Sequence, residues 1–153
     1  MYSNELVCMT IEYINNNINK EITIDELSNL FFFDKTYIMK RFKRELGVSI
    51  HEYINIIRIY NSLPLFRSDN YFLSIGIKNG FNSLEYFSET FKKVMGISPT
   101  TYKKFITYKP DISEKDVNTI QDSIVYISLI KNKALDYLDH RKPKSIQVKM
   151  FKL

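Results

Sequence analysis

One block of sequence occurs twice in this chain, and that duplication constrains the fold more than any other feature. Phe42-Lys43-Arg44-Glu45-Leu46-Gly47-Val48-Ser49, followed by Tyr53, recurs as Phe91-Lys92-Lys93-Val94-Met95-Gly96-Ile97-Ser98, followed by Tyr102, at a constant offset of 49 residues. Ser28 and Gly76 stand 14 and 15 residues before the two phenylalanines. An internal repeat of this length implies two copies of one supersecondary unit. Each copy reads as a first helix or tight turn, then a capped second helix closed by glycine, which is a helix-turn-helix.

The helical pattern runs around these blocks. Val7, Ile11, Ile14 and Ile18 form one stripe in residues 4–18, and the asparagines 15–17 and 19 favour its end. Thr23-Ile24-Asp25-Glu26, Ser49-Ile50-His51-Glu52 and Asn82-Ser83-Leu84-Glu85 have capping-box form. Asp34 starts a helix with Ile38, Phe42 and Leu46 on one side, and Ser98-Pro99 starts another. Phe87, Phe91 and Val94 make a further buried stripe. Pro64 interrupts the helix that carries Tyr53, Ile56, Ile57 and Tyr60, because its ring removes a backbone donor and crowds the carbonyl of Tyr60. That helix is expected to end near Asn61 or Ser62.

Composition narrows the function classes. The chain has 153 residues and 22 aromatic ones (11 Phe, 11 Tyr), which excludes global disorder. A single cysteine, Cys8, allows no internal disulfide and no cysteine-rich zinc site; it reads as a structural thiol. His51 and His140 are far apart and supply no metal pair; His51 reads as a solvated residue near a helix start. No apolar run approaches membrane-spanning length, and the N-terminus lacks secretory character, so the expected location is cytoplasmic, with no membrane partner. No phosphate-binding glycine loop or nucleophile–base pair is present. The expectation is no enzyme, no metal and no cofactor. A net charge of +5 suits a polyanion partner or plain solubility.

The helix from 35 to 46 carries the functional signal. With Ile38, Phe42 and Leu46 inward, Thr36, Lys40, Lys43 and Arg44 face outward, Tyr37 and Met39 lie at the edges, and Lys35 and Arg41 are close by. Five cations oppose only Glu45. A helix fits the DNA major groove, where lysine donates to guanine and threonine or methionine touches a thymine methyl.

Residues 4–105 resemble the DNA-binding domain of the AraC/XylS family of bacterial transcription regulators. The matching pieces are the two repeated blocks with Tyr53, Arg58, Gly80-Phe81, Tyr86-Phe87, Ser98-Pro99 and Tyr102. The resemblance implies an all-α fold of about seven helices, two helix-turn-helix subdomains joined by a linker helix. Residues 1–105 would form that domain (1–49, linker 50–68, 69–105). It implies base reading by Thr36, Met39 and Lys40 in the first unit and by Leu84, Glu85, Ser88 and Glu89 in the second. Phosphate contacts would fall to Lys35, Tyr37, Lys43, Arg44, Lys92 and Lys93. The implied function is a sequence-specific transcription regulator and activator, with double-stranded DNA and RNA polymerase as partners.

Some residues depart from the family pattern. Glu85 and Glu89 stand where a neutral residue and arginine are usual, and Ser62, Gly76 and Asn79 replace common apolar residues. Residues 1–105 hold 13 basic and 11 acidic side chains, so phosphate neutralisation is expected to be modest. These features keep open a second class, a protein-binding modulator with the same fold but weak or partial DNA binding. Residues 106–153 form an extension. Ile120, Ile124, Ile127, Lys131, Ala134 and Leu138 keep helical spacing over 114–139, although the β-branched run 124–130 also suits a strand. The extension is a dimerisation helix, the start of an effector-binding domain, or a helix packed on its own domain. Residues 145–153 alternate like a short strand.

Overall fold

The computed structural model describes residues 2–107 and 112–141, and among these there are helices and no strand. The helices are α1 (Tyr2–Asn16), α2 (Ile24–Phe31), α3 (Lys35–Leu46), α4 (Ile50–Ser62), α5 (Phe72–Lys78), α6 (Leu84–Met95), α7 (Pro99–Ile106) and α8 (Glu114–Arg141). A 3-10 turn, Leu63–Arg67, follows α4. The strand-like stretch 145–153 lies outside the described residues. The chain divides into two compact units. The first holds α1, α2, α3 and α8 from Leu129 onward; the second holds Ile18–Glu21 and residues from His51 to Ser128.

The first unit has a mainly aliphatic core. Leu6, Val7, Ile11, Ile14, Leu27, Ile38, Phe42 and Leu46 are each exposed by 1% or less. Burial of a side chain of this size contributes roughly 1.5–3 kcal/mol. Ile18 is only half-buried, because α1 stops at Asn16 and the stripe loses its helical phase. Thr23 caps α2 with a complete capping box, its side chain accepting from the Glu26 N–H at 3.1 Å. Asp34 caps α3 by accepting from the Thr36 N–H at 3.0 Å. Between the two helices Phe32 takes the left-handed conformation, with φ of 60° and 91% of its surface exposed. Bulky residues rarely adopt this conformation.

The second unit is built on aromatic rings. Phe66 packs on Phe91 (centroids 5.2 Å apart) and edge-on to Tyr102 (5.1 Å), and Phe87 on Phe81 (5.3 Å). Such pairs add about 0.5–1.5 kcal/mol beyond area burial. Pro64 ends α4 at Ser62 and opens the 3-10 turn that turns Leu63 and Phe66 into this core. Helix therefore does not continue in α form through the expected 50–68 linker. Three of the departures from the family pattern, Ser62, Asn79 and Gly76, are accommodated by their immediate surroundings. Ser62 is buried and donates to the carbonyl of Ile59 at 2.6 Å. Asn79 is buried and donates to the carbonyl of Ile75 at 2.8 Å. Gly76 lets α5 approach α6 so closely that a Cβ would lie 3.0 Å from Phe87.

Gly80 (φ 89°) occupies the turn of the second helix-turn-helix. A Cβ there would come within 2.9 Å of Arg58 Nε and 3.0 Å of the Ile18 carbonyl. Arg58, on α4, uses this space to donate from Nε to Ile18 O at 2.8 Å and from Nη2 to Lys20 O at 2.6 Å. The N-cap of α6 is Ser83, which accepts from the Tyr86 N–H at 3.1 Å, and not Asn82 as a capping box on 82–85 requires. Both residue types cap well. The one at 83 is 49 residues after Asp34 and keeps the repeat in register.

The β-branched run 124–130 is helical, inside the 28-residue α8. Ile120, Ile127, Ile130 and Ala134 are buried, so their spacing is satisfied within the chain's own two units. In the second unit Ser123 donates to the carbonyl of Met95, at the end of α6, at 2.8 Å. In the first unit the Tyr137 hydroxyl donates to Glu45, near the end of α3, at 2.5 Å, and the buried Cys8 thiol donates to the Tyr137 carbonyl at 3.0 Å. Cys8 is thus a packed structural thiol.

Candidate nucleic-acid interface

Each unit presents one helix whose inner side is spent on the core. On α3, Ile38, Phe42 and Leu46 are inside. Lys35, Thr36, Lys40, Lys43 and Arg44 are exposed, with Tyr37 and Met39 exposed by 40% and 44%. Tyr37 stacks on Phe33 at 5.5 Å, which holds its ring against the start of the helix. Lys35 pairs with Asp25. The fifth cation is spent differently: Arg41 is half-buried and pairs with Glu45 at 3.0 Å. The outward face therefore keeps Lys40, Lys43 and Arg44 as well as Lys35, and Glu45 no longer opposes them.

On α6, Phe87, Thr90, Phe91 and Met95 are buried. Leu84, Glu85, Glu89, Lys92 and Lys93 are exposed and Ser88 is half-buried. Glu85 lies in the first turn, where the helix dipole favours a carboxylate. The two acidic residues and two basic ones leave this face near neutral. Basic residues sit in the last turn of both helices, Lys43 and Arg44 on α3 and Lys92 and Lys93 on α6.

A cleft of about 700 Å³ opens in the second unit between α4, α6 and α8. Its polar walls include His51, Asn55, Tyr86 and Glu89. Asn55 Nδ2 lies 3.4 Å from the Tyr86 hydroxyl and 3.3 Å from His51 Nε2. His51 is exposed, as expected for a solvated residue near a helix start, but its place beside Asn55 and Tyr86 is not announced by the sequence. The nearest signal is the i, i+4 spacing of His51 and Asn55 on one side of α4. Among the described residues no group of three or more metal-ligating side chains comes together, and no helix is long and apolar enough to cross a membrane.

The profile of a family described as a helix-turn-helix domain matches residues 27–104, from within α2 through most of α7, and so includes both outward helices. The chain belongs to the AraC/XylS family. Its domain is of the DNA-binding kind found in transcription regulators, and the family's members are not enzymes. It is 30% identical over 107 residues to the uncharacterized HTH-type transcriptional regulator YbfP of Bacillus subtilis (strain 168), covering 69% of this chain and 36% of that protein. It is 30% identical over 103 residues to the transcriptional regulatory protein HptR of Staphylococcus aureus, covering 67% and 41%. Among solved structures it is similar to the C-terminal domain of AraT, a response regulator from Geobacillus stearothermophilus. That likeness has a TM-score of 0.61 and 26% identity, over 65% of this chain and 84% of that one. The match spans well under half of YbfP and HptR, and it ends before α8 in the family profile.

Proposed function

We propose that this AraC/XylS-type protein is a sequence-specific transcription regulator that acts as an activator and reads DNA mainly through α3. One observation carries the reading: α3 offers Lys40, Lys43 and Arg44 on an exposed arc, while its only carboxylate is neutralised by Arg41. Thr36, Met39 and Lys40 are the base-reading positions near the helix start, where side chains reach base edges. Lys35, Tyr37, Lys43 and Arg44 contact phosphates. On α6, Leu84, Glu85, Ser88 and Glu89 are the reading positions and Lys92 and Lys93 the phosphate contacts. The two carboxylates there accept only from cytosine N4 or adenine N6 and repel phosphates. RNA polymerase is the partner of the activating role, and the protein works in the cytoplasm. A homodimer through 114–139 is left the outer side of α8, where Val125 and Leu129 are exposed.

The second reading, a protein-binding modulator with partial DNA binding, is favoured by Glu85 and Glu89. A salt titration of DNA binding separates the two. A regulator loses affinity linearly in log salt, with a slope near the number of phosphates contacted. Lys43→Ala lowers that slope by about one, and Lys40→Ala relaxes discrimination at one base pair. Binding that ignores both substitutions overturns the assignment of α3.

A further inference from the structure

The last turn of α3 has a neighbour that the family profile does not include. Lys133 of α8 belongs to the same compact unit as α3 and lies beyond the matched residues 27–104. It is exposed, and its Nζ stands 3.6 Å from where a Cβ on Gly47, the C-cap of α3, would lie. Gly47 follows Arg44 by three residues and Lys43 by four, so the ammonium is set at the end of the turn that carries both. Among the described residues none of these three cations has an ion pair. Glu45, the acidic residue of α3, is held from two sides instead. One oxygen accepts from Arg41 at 3.0 Å and the other from the Tyr137 hydroxyl at 2.5 Å. Charge of the same sign continues along the chain. Residues 141–153 hold five basic side chains and no acidic one, which equals the whole net charge of +5.

A lone cation at a helix C-terminus is ordinarily a partner of the helix dipole. Here Lys43 and Arg44 already fill that role, and a third cation adds repulsion that a bound phosphate removes. We propose that α8 supplies the first unit with a further DNA contact, the Lys133 ammonium on a backbone phosphate next to those met by Lys43 and Arg44. The contact rests on the proposed reading of DNA through α3. It sets affinity and register rather than sequence preference, since a phosphate carries no base information. The extension is then a working part of the interface as well as a helix packed on its own domain.

The test uses the full chain and a fluorescein-labelled DNA duplex of mixed sequence, with anisotropy followed over a series of salt concentrations. Lys133→Gln is expected to lower the slope of log affinity against log salt by about one, as Lys43→Ala does, while Lys133→Arg keeps the parent's slope. Urea unfolding of Lys133→Gln is expected to match the parent, with helix content checked by circular dichroism. A parental slope in Lys133→Gln overturns the contact; if urea stability falls at the same time, the ammonium is a cap of α3 and no more. A lowered slope in Lys43→Ala beside an unchanged one in Lys133→Gln overturns the contact and leaves the reading through α3 in place. A slope that ignores both substitutions, or an absence of salt-dependent binding, overturns the two together.

Discussion

The two helix-turn-helix units are one design carried out with different residues. Phe32 occupies the turn of the first in the left-handed conformation, at the place Gly80 takes in the second. The turn of the first is open, and its phenylalanine ring faces solvent. The turn of the second is filled by Arg58 and the Ile18 carbonyl, and only a residue without a side chain leaves room for them. The first core is aliphatic and the second aromatic. The outward helix of the first is basic and that of the second near neutral. Backbone geometry is thus shared, while the chemistry on either side of it is free to diverge.

The largest expected effect tests the two turns. Gly80→Ala is expected to lower stability to urea by about 1–3 kcal/mol from backbone strain alone, and further because the new Cβ displaces the Arg58 guanidinium. A loss no greater than that of an ordinary surface substitution would show that the turns are interchangeable. The next compares the outward helices. Lys40→Ala is expected to lose about 1–3 kcal/mol of discrimination at one base pair, whereas Glu89→Arg is expected to strengthen binding to every sequence, both read by fluorescence anisotropy. Weaker binding by Glu89→Arg would mean that the carboxylate contacts a base.

A third prediction compares how α8 meets each unit. Burial and the hydrogen bond to Glu45 push the Tyr137 hydroxyl up to about 12 from an ordinary value of 10.0. A raised value in the folded state means that the neutral hydroxyl is favoured there. This contribution is whole below pH 10 and is lost as the pH rises through about 12. Tyr137→Phe is therefore expected to flatten the fall in stability over that window, leaving the part owed to Tyr13 and Tyr102, which are also raised. Ser123→Ala, at the contact with the second unit, is expected to cost about 0.5–1.5 kcal/mol with no change in that window. The smallest effect returns to the turns. Phe32→Asn is expected to stabilise by no more than about 1 kcal/mol, since asparagine tolerates the left-handed region and the lost ring is exposed.

The caps at Thr23, Asp34 and Ser98 and the inner stripe of α3 are readable in the sequence because each depends on residues within a few positions of one another, and the repeat because the chain can be matched to itself at an offset of 49 residues. Ser83 and Asn82 are equally good caps locally, and only the packing of α6 in register with the repeat separates them. The sequence places Arg41 near the outward arc and sets Glu45 against all five cations; that these two residues pair with each other is a matter of side-chain direction, which composition does not carry. Nothing near α8 states which surfaces it covers, since the groups that receive Ser123 and Tyr137 lie 28 and 92 residues away. The cleft shares that cause, being assembled from three separate helices.

Arg58 also bears on how the protein responds to salt. Its guanidinium is half-buried, and its charge is met by the carbonyls of Ile18 and Lys20. Mobile ions screen exposed charges that are far apart, but they act weakly on a partly buried cation in contact with fixed dipoles. The knot that ties the segment before α2 to α4 is therefore insensitive to ionic strength. When rising salt loosens this protein's hold on a polyanion, the release will count ions returning to that polyanion rather than a scaffold coming apart.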